Sequence, residues 1–241
     1  IDKILVDAGF ANSLPKARSM VMAGEVLAND KRVEKPSEQF SPTVLIRLKG
    51  KSAESKYVGR GGLKLEKALK VFQICPDGYI CLDVGASTGG FTDCLLQTGA
   101  KKVCAVDAGT NQLVWELRND NRVEVREKTN ARNLSPDDFI EKFDLIVMDV
   151  SFISVTKILP ALFDLMKETA KLIVLIKPQF EVAKGEVGAG GIVRDAVKHK
   201  QVIKMINDFA CSIGFKNLDI TDSPILGAEG NKEFLALYER V

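Results

Sequence analysis

The sequence predicts an α/β protein: a doubly wound, mainly parallel sheet of seven strands, preceded by a small α+β domain. Three observations predict this. After residue 60, apolar runs of strand length alternate with stretches of helical period, the pattern of a parallel sheet covered on both faces. Residues 80–107 spell out one unit of such a sheet: strand Ile80–Val84, a turn at Gly85, Gly89 and Gly90, a helix opened by Phe91, and strand Lys102–Val106 ending on Asp107. Residues 1–48 hold two short helical patterns and then short strands.

In order along the chain, Ile1, Ile4, Leu5 and Ala8 recur at helical spacing, and Gly9 stops that helix. Asn12 or Ser13 caps a second helix with Pro15 in its first turn. Ala17, Met20 and Val21 share one side of it, Lys16 and Arg18 stand off that side, and Gly24 ends it. Val26–Ala28 and Val33 flank Asn29–Asp30, a hairpin turn, and Leu45, Ile46 and Leu48 supply a further strand. This stretch, above all Pro15–Asp30, resembles the S4 RNA-binding domain over about residues 1–48; the arginine usual before that family's first Asp-Lys is absent, and Ile1 stands there. The resemblance implies that Lys16, Arg18, Lys31 and Arg32 meet RNA phosphates.

Residues 49–59, K-G-K-S-A-E-S-K-Y-V-G, are small and polar and read as a linker to a second domain, 60–241. Arg60–Phe72 resumes helical period, with Leu65, Ala68, Leu69 and Phe72 on one face and Lys64 and Lys67 on the adjoining stripe. Strands are expected at 79–84, 102–107, 122–126, 143–149, 171–177, 215–221 and 233–239. Helices are expected at 91–98, 111–119, 156–168 and 195–212. The glycine-rich run 185–191 reads as a mobile loop, a candidate lid over RNA.

Composition narrows the class. The chain has 241 residues, 46% hydrophobic and 27% charged, as soluble globular proteins do. Net charge is only +2, but residues 1–60 hold 11 Lys/Arg against 7 Asp/Glu and the remainder 23 against 25, so the basic excess sits where a polyanion is expected to dock. Five scattered cysteines (Cys75, Cys81, Cys94, Cys104, Cys211) without C-x-x-C spacing, and a single histidine, His199, argue against a metal centre and for a reduced, cytoplasmic protein. No run approaches a membrane span and no signal peptide opens the chain; it begins at Ile1, so native residues are expected ahead of it.

In doubly wound sheets ligands bind beyond the carboxyl ends of the strands, and an acid after the second strand commonly grips ribose hydroxyls. The turn here is D-V-G-A-S-T-G-G rather than G-x-G-x-x-G, and no G-x-x-x-x-G-K-[ST] occurs to cradle a triphosphate. An acid just before the first glycine suits a ligand with an amino group at its near end, as in the methionine part of S-adenosylmethionine. Gly85, Ala86, Ser87 and Gly89 are then expected to approach that part, with Asp83 at the turn. Asp107 would accept from ribose hydroxyls, Asn130 would lie near adenine or serve as a turn former, and Asp149 would border the methyl donor. Phe152 is expected in the core, with base stacking as the alternative.

Four charged residues stand at or beside the working edge of the sheet. Lys64 lies on the helix before it, Asp149 ends F-D-L-I-V-M-D, Lys177 ends L-I-V-L-I-K, and Glu233 follows G-N-K. The order K…D…K…E looks like the tetrad of FtsJ-type ribose methyltransferases, and G-G-L-K-L favours Lys64 over Lys67 for its first member. With D-V-S-F at 149–152, I-K-P-Q-F-E at 176–181, G-N-K-E-F at 230–234 and the S4-like segment in front, the chain is similar to the TlyA, or haemolysin A, family. That resemblance implies S-adenosylmethionine-dependent 2′-O-methylation of cytidine in ribosomal RNA or ribosomal subunits.

The chemistry has its own rationale. A ribose hydroxyl keeps its proton at neutral pH and must lose it while attacking the methyl group, and a lysine held among charges can orient the oxygen or take the proton. Neighbouring lysines disfavour each other's charge, whereas Asp and Glu favour it. Lys177 is the expected base or hydroxyl anchor, Asp149 fixes it, and Lys64 and Glu233 tune charge and place the ribose. Three other readings compete. An amine methyltransferase would show N/D-P-P-Y/F after the fourth strand, and Asp149–Phe152 lacks the prolines. A haemolytic pore needs spanning helices or barrel strands, whereas the apolar runs here read as sheet strands. An RNA-binding module with a decayed enzyme half is opposed by the intact tetrad and glycine turn.

Overall fold

In a computed structural model the chain divides into two compact units, Ile1–Lys56 and Tyr57–Val241. The structure describes all residues except 9, 12, 29–30, 42–43, 45, 49–55 and 228–229. The helix stop at Gly9, the alternative cap Asn12, the hairpin turn Asn29–Asp30, the strand residue Leu45 and most of the linker therefore lie outside the described residues.

The first unit packs α1 (Asp2–Asp7) and α2 (Leu14–Met22) with three short antiparallel strands, β1 (Val26–Ala28), β2 (Lys31–Arg32) and β3 (Ile46–Leu48), in the order β2-β1-β3. Ser13 caps α2, its Oγ accepting from Lys16 N–H at 3.4 Å, and Pro15 fits the first turn because that turn's N–H groups have no helical acceptor. Leu5, Ala17, Val21, Val26 and Val33 supply a core no more than 1% exposed.

The second unit opens with α3 (Gly61–Val71). Residues 57–59, expected within the linker, belong to this unit instead. Tyr57 is 3% exposed, its ring fills the space a Cβ on Gly62 would need, and Val58 N–H donates to Asp93 Oδ2 at 2.8 Å. Seven strands follow: β4 (Ile80–Val84), β5 (Lys102–Val106), β6 (Val123–Arg126), β7 (Phe143–Met148), β8 (Met166–Ile176), β9 (Phe215–Asp222) and β10 (Phe234–Arg240). Their order is β6-β5-β4-β7-β8-β10-β9, and β10 alone runs against its neighbours.

Side chains alternate between two apolar layers. Cys81, Val103, Leu145, Val147, Ile173, Leu175 and Leu235 meet α3, α4 (Gly90–Gln97) and α5 (Trp115–Arg118) on one face. Leu82, Val84, Ile146, Met148, Val174 and Ile176 meet α6 (Leu159–Phe163) and α7 (Ala196–Ser212) on the other. Strand order reverses between β4 and β7, so their carboxyl ends flank the crevice where such sheets bind ligands.

Two expected helices are much shorter than their patterns. Of 111–119 only Trp115–Arg118 is helical, because the Glu127 carboxylate accepts the backbone N–H groups of Asn111 and Gln112 at 2.9 Å each and turns them away from a helix. Of 156–168, Val155–Lys157 is a 3₁₀ turn and α6 stops at Phe163, since Met166 already pairs with Phe143 and begins β8.

Candidate active site

Alternation along the strands gathers the site. Residues 145 and 147, 173 and 175, and 235 and 237 all face the α3–α4 layer. Asp149, Lys177 and Glu233 continue those same parities one step past the ladders, and α3, which packs on that face, contributes Lys64. The β8–β10 register pairs Phe234 with Ile176, so Glu233 and Lys177 are the next residues along adjacent strands.

The four form two close ion pairs. Lys64 Nζ donates to Glu233 Oε2 at 2.6 Å, with side chains only 10% and 2% exposed. Lys177 Nζ lies 2.6 Å from Asp149 Oδ1, and it donates to Ser151 Oγ at 2.9 Å. Gly61, at the start of α3, stands against Asp149, its ideal Cβ position 4.0 Å from Oδ2, which ties the helix carrying Lys64 to the second pair.

The glycine turn is built for close approach. Gly85 has φ +84, and a Cβ there would collide with the backbone oxygen of Asp149. Ser87 also adopts a positive φ, 48°, and its N–H donates to Asp107 Oδ2 at 2.8 Å. Gly109 N–H donates to Asp107 Oδ1 at 2.6 Å. A carboxylate has about four acceptor positions, so after these two bonds Asp107 still has lone pairs for ligand hydroxyls.

Two cavities meet at this turn. The larger, about 500 Å³, is lined by Asp107, Gln112, Asn130, Arg132 and Phe152 among others. The smaller, about 170 Å³, is lined by Gly61, Ala86, Thr88, Phe91 and Lys177. Gly85, Ser87, Asp149 and Ser151 belong to both walls.

Several expected residues occupy different roles. Asp83 lines neither cavity: it is wholly buried, and Thr92 Oγ1 donates to its Oδ2 at 2.6 Å. Burial pushes its carboxyl up to about 7, against the opposing pull of the Thr92 bond. Gly89 also lines neither cavity; its φ of +101 and contact with Leu117 shape the entry to α4. Asn130 lines the larger cavity but turns Oδ1 back to its own 3₁₀ turn, accepting from Arg132 N–H at 3.1 Å. Phe152, expected in the core, is 91% exposed with φ 66, its ring 5.1 Å from that of Phe180.

Other site residues had no role in the sequence reading. Ser151 is one, and its position two residues after Asp149 was the available signal. Glu181 is another: its carboxylate accepts from Ser154 Oγ at 2.6 Å and Val155 N–H at 2.9 Å, fixing the loop after β7, while burial holds its carboxyl above the usual range. Asn231, 2% exposed, accepts from Val193 N–H at 3.0 Å and donates to Gly191 O at 2.9 Å. It thereby fastens the end of the glycine-rich run to the turn leading into Glu233. No local pattern in the sequence announces that clamp.

In the first unit Lys16 is exposed, Arg18 Nε pairs with Asp2 Oδ2 at 2.7 Å, and Arg32 packs its guanidinium on Gly24 with Glu34 at 3.8 Å. Lys31 lies in β2, and its side chain is outside the described residues. Among the described residues no three His, Cys, Asp or Glu side chains group as metal ligands, and no helix is long and apolar enough to cross a membrane.

The strand order, the glycine turn at the switch point and the carboxylate after the second strand together define a Rossmann-like methyltransferase. The chain belongs to the FtsJ-like methyltransferase family, which residues 57–240 match, and residues 1–46 match the S4 domain. It is 45% identical over 98% of its length to the Bacillus subtilis protein YqxC, which carries an rRNA methyltransferase name, covering 83% of that protein. It is 42% identical to the 16S/23S rRNA (cytidine-2′-O)-methyltransferase TlyA of Mycobacterium tuberculosis, covering 97% of this chain and 87% of that one. A solved Streptococcus thermophilus protein bearing a hemolysin name superposes with a TM-score of 0.77 at 44% identity, over 100% of this chain and 87% of the other.

Proposed function

We infer that the protein transfers a methyl group from S-adenosylmethionine to the ribose 2′-hydroxyl of cytidine in ribosomal RNA, in the cytoplasm. One observation carries the reading: two Lys–carboxylate pairs stand at a single sheet edge, and Asp149, the partner of Lys177, lies in the wall shared by two cavities, the smaller of which Lys177 also lines. The residues present fit the methyl donor. Asp107 keeps free lone pairs for ribose hydroxyls, the larger cavity has room for a nucleoside, and Gly85 lets the turn close on the Asp149 carbonyl in the wall of both cavities. Bound there, S-adenosylmethionine supplies an electrophilic methyl group.

The rest is the work of the chain's own residues. Lys177 Nζ either anchors the acceptor oxygen or serves as the base for the proton that the hydroxyl loses as it attacks. Asp149 and Ser151 hold Lys177 in place. The buried Lys64–Glu233 pair lines neither cavity; it stands at the same sheet edge and helps to place the ribose. Much of the rate then comes from alignment, since in-line transfer requires the reacting atoms within roughly 3–3.5 Å. Cations of the S4 unit, Lys16, Lys31 and Arg32 with Arg18 in its ion pair, meet phosphates. Five free cysteines suit a reducing compartment.

The test is incubation with labelled S-adenosylmethionine and ribosomal subunits lacking the modification, followed by mapping of alkali-resistant linkages. Label at ribose of one or a few cytidines is the expected outcome. Label on exocyclic amines, or none in wild-type protein that binds S-adenosylhomocysteine, would overturn the assignment.

A further inference from the structure

An ammonium has three N–H donors and no acceptor, so its aim is set by the partners it meets. At Lys177 those partners are unequal. Asp149 Oδ1, 2.6 Å from Nζ, is its charge partner but does not accept an aligned hydrogen bond from it. The Phe180 ring, with its centroid 5.9 Å away, covers another side without fixing an angle. Ser151 Oγ, at 2.9 Å, is the aligned hydrogen-bond acceptor.

Ser151 belongs to a loop with a fixed far end: three residues on, Glu181 accepts from Ser154 and Val155, and between them Phe152 has a left-handed backbone. With one lone pair taken by Lys177, the hydroxyl keeps a second lone pair and its own O–H. It presents them where the two cavities join.

We propose that Ser151 is a positioning residue for the transfer: its hydroxyl sets the direction of Lys177 Nζ, so that a remaining N–H of that group points at the acceptor oxygen in the shared mouth of the cavities. The inference rests on the reading of Lys177 as the group that holds the acceptor hydroxyl.

The experiment compares full-length wild type with Ser151→Ala and Ser151→Thr, using labelled S-adenosylmethionine and unmodified ribosomal subunits. Ser151→Ala is expected to lower kcat about 10–100-fold, the range for a lost hydrogen bond to a charged group, with KM for the methyl donor within about twofold. Ser151→Thr, which restores the hydroxyl, should return kcat to within about fivefold of wild type. A second measurement does not need turnover: acetylation by an N-hydroxysuccinimide ester, read by peptide mass spectrometry at Lys177 and Lys64. Ser151→Ala should speed acetylation at Lys177 several-fold and leave Lys64 unchanged.

Full kcat in Ser151→Ala, failure of the threonine variant to recover, or an unchanged acetylation rate at Lys177 would each overturn the proposal. If wild type itself leaves ribose unlabelled, the functional reading fails, and the acetylation rates alone decide the role of Ser151.

Discussion

Lys64→Met should expose how much the second unit depends on one buried ion pair. Lys64 Nζ and Glu233 Oε2 are 2.6 Å apart, in side chains 10% and 2% exposed. Removing the ammonium strands a carboxylate in a site that water barely reaches. The loss of one partner of a buried pair costs about 3–5 kcal/mol, which in a unit of this size lowers Tm by on the order of 10 °C. Glu233→Gln strands the ammonium instead and should cost a similar amount. The double variant Lys64→Met/Glu233→Gln removes both charges, and neutral replacement of a buried pair is near break-even, so it should return to within about 1 kcal/mol of wild type. Urea and thermal denaturation of the four proteins give the coupling energy directly. Ribose methylation by the same four proteins separates the roles. If the pair only supports the fold, activity returns with stability in the double variant. If it places the ribose, activity stays about 100-fold down or more while stability recovers. A Lys64→Met protein as stable as wild type, or a double variant no better than the singles, would refute the electrostatic reasoning.

Gly85→Ala should lose about 2 kcal/mol or more from its positive φ and from the collision with the Asp149 carbonyl, and should lose S-adenosylhomocysteine binding by calorimetry; unchanged binding would dismiss the close-approach argument. Asp83, raised by burial to about 7 from 3.8, contributes stability that is whole below about pH 4 and lost as pH rises through 7. Asp83→Asn should therefore gain on wild type between pH 4 and pH 8, by at most about 1.4 kcal/mol per pH unit, and a difference independent of pH would contradict this. Iodoacetamide at pH 8 should label Cys75 and Cys211 in the folded protein and spare Cys81 and Cys104, whose thiols burial pushes up to about 12; equal labelling of all five would show that the core opens. Lys16→Ala should reduce the salt dependence of RNA binding by about one ion, and Arg18→Ala by less because Asp2 already offsets its charge. Filter binding across a salt series checks both.

The sheet was legible because buried strands read as near-continuous apolar runs, and β4, β5, β7 and the second half of β8 are of that kind, interrupted only by Asp83, Lys102 and Asp144. The antiparallel course of β10 is a matter of pairing, and its apolar pattern would serve either direction. The helix shortened by Glu127 and the early start of β8 opposite Phe143 are likewise decided by partners 14 or more residues away. Asp83 shows what adjacency hides. The acid next to the first glycine suggests a ligand contact, yet residue 83 shares parity with Cys81 and so lies under α4, against Thr92. The same count of two groups Asp149 with Leu145 and Val147, Lys177 with Ile173 and Leu175, and Glu233 with Leu235 and Leu237, and the strand pairing puts these three sets on one face. Asn231 and Glu181 were out of reach because their partners belong to other loops.

The charge balance of the site bears on how the proposed tasks divide between the two units. Two lysines, one aspartate and one glutamate sum to zero, arranged as two close pairs. A neutral cluster at the sheet edge is tolerable next to the apolar layer, because each charge, the buried Lys64 and Glu233 included, has a partner at 2.6 Å. The same neutrality makes it a poor magnet for a polyanion, whose long-range attraction depends on uncompensated cations. The positive excess lies in the first unit, where residues 1–56 hold 10 Lys/Arg against 7 Asp/Glu, while residues 57–241 hold 24 against 25. On the proposed function, affinity for RNA and orientation of one hydroxyl would therefore come from different parts of the chain. Cationic changes in the S4 unit should act on binding and its salt dependence, and changes at Lys177 or Ser151 on turnover at saturating RNA. One substitution that moved both equally would mean that the two tasks share residues.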